Sequence, residues 1–183
     1  MRVSREEMDR SHARIVQEAS RLFRANGIEN TSVADVMRAS GLTHGGFYRH
    51  FESKDALVRA AIQSAFSQLK DLIDQNLHEE AAGNALALYH RFYLSDRHLS
   101  QPGEACPVAI LAGEVARAAP QLKGVFGTGV KQMIDTVAQH RSRPAVKERR
   151  VKATREFAML VGAAVIARAC DPETAENVLE ACR

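Results

Sequence analysis

Apolar residues return at helical spacing along nearly the whole chain, and polar or glycine-bearing breaks cut that rhythm into segments. From about Arg10 to Asn26, the residues Ile15, Ala19, Leu22 and Phe23 recur on one helix face, and Gly27 follows as a residue able to end a helix with positive φ. Thr31 or Ser32 can cap a short second helix, with Asp35 near its positive first turn and Val33, Val36 and Met37 on its inner face. Ser40-Gly41 stops it. Thr43 caps a third helix containing Phe47, Tyr48 and Phe51, and Ser53 caps a long fourth one starting at Lys54. The fourth helix keeps a single apolar stripe, Leu57, Val58, Ala61, Ile62, Ala65, Phe66, Leu69, Leu72 and Ile73, to about Leu77.

Downstream, the pattern predicts helices over about Glu80–Arg97, from Pro107, from Pro120, over about Val146–Ala169, and from Pro172 toward Cys182. Three of these open on proline, which is favoured at the first helical position. Leu99–Ala105 reads as a loop and Arg141–Pro144 as a basic break. No strand pattern stands out. The expected fold is all-α, about nine helices in all, with a three-helix N-terminal unit over 1–55 and a helical body over 56–183.

Composition agrees with this and narrows the function classes. The 183 residues are 45% hydrophobic and 26% charged, the balance of a soluble globular chain. Net charge is +3 and the isoelectric point about 8.9, which permits nucleic acid as a partner without demanding it. Residues 1–60 hold ten Lys/Arg against eight Asp/Glu, so any DNA affinity must come from where charges sit. The first residues lack the apolar core of a secretion signal, and no run approaches the roughly 18 apolar residues of a membrane span. Cys106, Cys170 and Cys182 have no metal-type spacing, so reduced thiols, a cytoplasmic location and no metal or cofactor are expected. A small helical enzyme is the alternative, but it has no His-Glu-x-x-His, Cys-x-x-Cys, phosphate loop or nucleophile elbow behind it.

The segment Thr31–Lys54 carries the most chemistry. Two short helices joined by a Gly-containing turn, with apolar residues facing inward, make a helix-turn-helix; its second helix spans about 32–40 and its recognition helix about 43–51. Thr43, His44, Gly45, Gly46, Tyr48 and His50 are small or hydrogen-bonding and cluster on the recognition helix. Two adjacent glycines cost a helix roughly 1 kcal/mol each relative to alanine. A helix that only packs gains nothing from them, whereas one lying in a DNA groove gains close backbone approach and free N–H groups for phosphate.

The runs Thr31-Ser32-Val33-Ala34-Asp35-Val36, Ala39-Ser40-Gly41-Leu42-Thr43-His44-Gly45-Gly46-Phe47-Tyr48-Arg49-His50-Phe51 and Ser53-Lys54-Asp55-Ala56-Leu57 resemble the TetR family of repressors. The resemblance covers about Arg10–Phe66. It implies that Thr31 and Ser32 touch backbone phosphate, that Thr43, His44, Gly45 and Gly46 approach bases or phosphates, and that Tyr48, His50 and Lys54 bind phosphate. Plain structural roles compete: Tyr48 as core, His50 packed against the fourth helix, Lys54 as a solvated helix-start charge. The family further implies a homodimer on a palindromic double-stranded operator, released by a small-molecule inducer.

The body resembles the family in architecture only. Phe66, Leu69, Tyr89, Phe92, Tyr93, Phe126, Met133 and Met159 are candidates for a plastic apolar ligand lining, against the alternative that they are ordinary core. Phe157, Leu160, Val161, Ala164 and Val165 on the last long helix are candidates for a four-helix dimer interface. Cys106, before Pro107, sits where a helix dipole lowers a thiol pKa, which opens an alternative function as a redox- or electrophile-responsive regulator; a buried structural cysteine is the other reading. The basic stretch Arg141, Arg143, Lys147, Arg149, Arg150 and Lys152 reads as a solvated face.

Overall fold

A computed structural model describes residues 4–78, 85–139 and 146–183, and within them the fold is helical throughout. The helices are α1 (Arg5–Asn26), α2 (Val33–Ala39), α3 (Lys54–His78), α4 (Ala85–Tyr93), α5 (Asp96–Ser100), α6 (Pro107–Val115), α7 (Pro120–Gln139), α8 (Val146–Ala169) and α9 (Pro172–Cys182), with 3-10 turns at His44–Arg49 and Pro102–Glu104. The single helix expected over Glu80–Arg97 is two, because Ser95 ends the run: its hydroxyl accepts from His98 N at 3.3 Å and caps α5. The basic break at Arg141–Pro144 lies outside the described residues.

One continuous core joins the N-terminal unit to the body, and α3 carries it. Leu57, Val58, Ala61 and Ile62 pack with Ile15, Ala19 and Phe23 of α1 and with Val36, Met37, Phe47 and Phe51. Further along, Phe66, Leu69 and Ile73 enter the body core beside Phe126, Met133 and Leu160. Leu72, expected on that stripe, is 38% exposed. α7 comes so close to α3 that a Cβ on Gly129 would sit 2.2 Å from the Phe66 ring, and Phe126 meets that ring edge-on at 5.4 Å. Only glycine permits this approach.

The body corrects several sequence expectations. Phe157, Leu160 and Ala164 are buried within the protomer, so they cannot form a dimer surface. The outer face of α8 is instead Val151, Met159, Val165 and Ile166, each 39–46% exposed, with Val161 half-buried beside it. Met159 therefore leaves the ligand lining. The reason is rotational phase: nearly every turn of α8 carries apolar residues, and only neighbouring helices decide which side faces in. Of the other candidates, Phe66, Leu69, Tyr89, Tyr93, Phe126 and Met133 are buried and Phe92 is half-buried. Among the described residues they divide between cavities. Leu69 and Phe92 border one of about 340 Å³, and Phe66 borders another between α3 and α7.

Cys106 is the N-cap of α6, as expected, but it is fully buried. Burial pushes its thiol pKa up, against the opposing pull of Tyr93, the Val108 and Ala109 amides and Arg24. That is the reverse of the activated thiolate expected from the dipole alone.

Candidate nucleic-acid interface

Local chemistry fixes the turn that presents the recognition segment. Ser32 caps α2 through a reciprocal box: its Oγ accepts from Asp35 N at 3.1 Å, and Asp35 Oδ2 accepts from Ser32 N at 3.0 Å. The Ser32 hydroxyl, donating to Asp35 Oδ2 at 2.5 Å, and then the Ser32 N–H hold the Asp35 carboxyl below its ordinary pKa. α2 ends at Ser40, and Gly41 takes φ +67°, which lets Leu42 N–H reach Met37 O and Gly41 N–H reach Arg38 O. That 6→1 and 5→2 pair is a Schellman stop, and it reverses the chain toward Thr43.

The recognition segment is shorter and tighter than expected. Rather than an α-helix over 43–51, residues His44–Arg49 form a 3-10 helix between Thr43 and His50. Two glycines and so few residues favour the tighter winding over longer α-helical propagation. Phe47 anchors the segment at 1% exposure, stacked on Phe51 at 5.9 Å.

Around that anchor the other side chains turn outward. Tyr48 is 73% exposed and meets Phe47 edge-on at 5.2 Å, so it is a surface residue held on a rigid base. Thr43, His44 and Gly45 are exposed, and Ser32 is exposed at the start of α2. Nothing lies within 4 Å of the Cβ that Gly45 lacks, and one on Gly46 would meet Met37 Cε and Thr43 Oγ1 at ordinary distances of 3.6 and 3.9 Å. Neither glycine is required by packing, and neither has positive φ. Lys54, half-buried, opens α3 next to this surface.

Two candidates sit differently. Thr31 is 1% exposed, and its hydroxyl donates to Gly27 O at 2.8 Å. It ties the end of α1 to the start of α2 and does not face outward, a correction to its phosphate role. His50 is half-buried, with its ring 6.0 Å from His12 of α1. Burial first, then the fields of His12 and Arg49, lower its pKa, so His50 is a neutral donor near pH 7.

Sequence reasoning passed over Arg49. It is exposed on the recognition segment between Tyr48 and His50, the cation closest in sequence to the two glycines. The signal was present in the run Tyr48-Arg49-His50, but its outward direction depends on the 3-10 winding. Among the described residues, no group of three or more His, Cys, Asp or Glu is arranged to hold a metal ion, and no helix is long and apolar enough to cross a membrane.

Residues 15–61 match the family model described as bacterial regulatory proteins, tetR family. The regulator TtgR of Pseudomonas putida is 36% identical over 64 residues, which is 35% of this chain and 30% of TtgR. The repressor DhaR of a Mycobacterium is 30% identical over 78 residues, 43% of this chain and 39% of DhaR. The chain thus matches less than half the length of these relatives. Solved structures agree over nearly the whole chain. NemR of Escherichia coli, in its reduced form, has a TM-score of 0.77 at 17% identity, covering 95% of each chain. A TetR-family regulator from Cytophaga hutchinsonii has a TM-score of 0.79 at 21% identity, covering 100% of this chain and 94% of the other. Identities this low establish the shared fold.

Proposed function

The N-terminal domain of this chain belongs to the bacterial tetR-family regulators, and from that premise we propose that the protein is a dimeric repressor that leaves a palindromic operator when a small molecule binds its helical body. The observation that carries this reading is the recognition segment. Thr43, His44, Gly45, Tyr48 and Arg49 are all exposed on a base fixed by Phe47 and Phe51, and neither glycine there is demanded by the fold. Residues that packing does not need, presented outward around a buried aromatic anchor, suit a major groove. Hydroxyls and Arg49 reach phosphate, and the glycines let backbone come close to base edges.

Dimerisation uses the outer face of α8. Val151, Met159, Val165 and Ile166 form an exposed apolar strip on a long helix that already packs against α9, and a second copy of α8–α9 covers it as a four-helix bundle. Two recognition segments must then stand roughly 34–36 Å apart to enter successive major grooves. A ligand acts by favouring a dimer with a different spacing. The thiol-sensing alternative at Cys106 is not favoured, because that side chain is buried and its thiol is pushed away from the thiolate form.

The test is a titration of purified protein against DNA from beside its own gene, with scrambled DNA as competitor, at several salt concentrations. Expected is a dimer that binds its own site at least 10³-fold more tightly than scrambled DNA, the lower end for specific binders. Equal affinity for both DNAs, or a strictly monomeric protein, overturns the proposal.

A further inference from the structure

Four helices bring polar side chains together around the buried Cys106. Tyr89 and Tyr93 come from α4, His98 from α5, Arg168 from α8, and Arg24 from α1 of the N-terminal domain. The Tyr93 ring lies 4.4 Å from His98 and 5.8 Å from Tyr89. His98 Nε2 accepts the Cys106 N–H at 2.9 Å, so the ring is neutral and carries its proton on Nδ1.

Both arginines are held by neutral groups. Arg168 donates to Leu99 O at 3.0 Å and to His98 O at 2.5 Å. Arg24 donates to Ser20 O, Ala105 O, Ser20 Oγ and Gln68 Oε1 at 2.9–3.2 Å. Among the described residues neither guanidinium is in ion-pair contact with a carboxylate. Glu104, whose field reaches Arg24, is half-exposed and bound to Arg97. A buried cation and a half-buried one without a counter-charge are unfavourable, and burial lowers the pKa of both.

Donors are also left over. Tyr89 Oη and Arg168 Nη1 are buried without a hydrogen-bond partner, and Tyr93 Oη has only the weak acceptor of the Cys106 thiol. All three residues lie within electrostatic reach of the Cys106 thiol, which also faces the first-turn amides of Val108 and Ala109. Unused donors, positive charge and a helix N-terminus therefore converge with no acceptor of matching charge. Beside them, the cavity of about 340 Å³ reaches the same Arg24 and His98; Leu69, Leu72 and Phe92 give it an apolar wall, and Glu18, Arg21, Arg97 and Glu104 line its charged side.

We propose that this cluster is the polar end of the effector site and takes a small organic carboxylate, whose oxygens accept from Arg168 Nη1 and the two tyrosine hydroxyls while its apolar tail extends past His98 into the cavity. The proposal rests on the small-molecule release described above and names the class of ligand. The carboxylate supplies the counter-charge the two guanidiniums lack, and a neutral ligand of the same shape does not. Because Arg24 belongs to α1 and is bonded to Ala105, next to Cys106, an anion here bears directly on the contact between DNA-binding domain and body.

The experiment uses the full chain at constant ionic strength. Acetate, propionate, butyrate and benzoate are titrated against their amides, read by thermal unfolding and calorimetry. At least one acid is expected to raise Tm in proportion to occupancy while its amide does not. Arg168→Gln is expected to weaken that binding roughly tenfold or more, the weight of one charge-assisted hydrogen bond, and Tyr93→Phe to weaken it while keeping the ring. Should Arg168→Gln fail to fold, Tyr89→Phe and Tyr93→Phe carry the comparison. Acid and amide behaving alike, no acid binding, or hydroxyl and guanidinium variants binding like the parent each overturn the proposal. Operator affinity of the ligand-free protein is measured in parallel: if it is intact while no acid binds, the ligand class alone is lost, and if it is absent, the wider reading goes.

Discussion

The carboxylate of Glu114, near the end of α6, accepts the backbone N–H of Ile28 at 2.8 Å, and Glu29 N–H approaches the same oxygen at 3.4 Å. This bond crosses from the body to the loop between α1 and α2, the loop that aims the recognition segment. Arg24, bonded to Ala105 O at 2.9 Å, makes a second crossing at the other end of α6. The body is thus tied to the N-terminal unit near both ends of α6.

Glu114→Ala removes a charged acceptor from two backbone donors at a half-buried site. The expected loss is about 1–2 kcal/mol of stability, a Tm drop of a few degrees for a chain of this size. Glu114→Gln keeps an acceptor oxygen and is expected to lose less. Thermal unfolding of both variants, with operator affinity measured alongside, checks this; an unchanged Tm in Glu114→Ala refutes the bridging role.

Tyr48 and Phe47 are neighbours with opposite expected effects. Tyr48→Ala, at a site 73% exposed, is expected to change stability by less than about 0.5 kcal/mol while weakening operator binding. Phe47→Ala empties a buried site and is expected to cost about 3–5 kcal/mol of stability. Gly45→Ala belongs with Tyr48: its Cβ enters open space in the free protein, so a loss of affinity without loss of stability locates the backbone against DNA. Chemical denaturation and fluorescence anisotropy on the three variants separate the cases.

Ile166→Glu places a charge in the exposed strip of α8, where Ile166 is 44% exposed in the protomer. The helix is expected to remain folded and the dimer to dissociate, with operator affinity falling because one half-site alone is held. Light scattering reads the mass, and circular dichroism the helix content. A dimer unaffected by this charge moves the interface elsewhere.

His98 makes stability pH-dependent. Burial, then the positive field of Arg168, with Arg24 adding to it, lowers its pKa from 6.5 to about 4, and the Tyr93 backbone opposes them only in part. The unfolded chain therefore binds the proton more readily than the folded one between those values. Stability should be level above about pH 6.5 and decline as pH falls toward 4, by roughly 1.4 kcal/mol per unit at most from this group. In His98→Asn that part of the slope should vanish; a slope that persists unchanged assigns it to other groups.

Much of this protein was legible without coordinates wherever short-range rules decide. The Ser32–Asp35 cap, the Gly41 stop, the proline-opened helices and the stripe from Leu57 to Ile73 are each set by residues within a few positions of one another, so spacing alone reveals them. The outward-facing Thr43, His44 and Gly45 were legible too, because small and hydrogen-bonding residues at the start of a short helix have few other uses. Tertiary packing decided what spacing leaves degenerate. α8 is apolar on several faces, and the helices packed against it, α4 to α7 and α9, determine that Phe157 and Leu160 turn in while Met159 and Ile166 turn out. Thr31 and Cys106 carry groups suited to a surface role, yet both are buried, Thr31 against the end of α1 and Cys106 beside Tyr93 and Arg24. The bonds from Glu114 to Ile28 and from Arg24 to Ala105 span 86 and 81 residues. No local pattern encodes such partners, because a hydrogen bond depends on position in space and a sequence records only order along the chain.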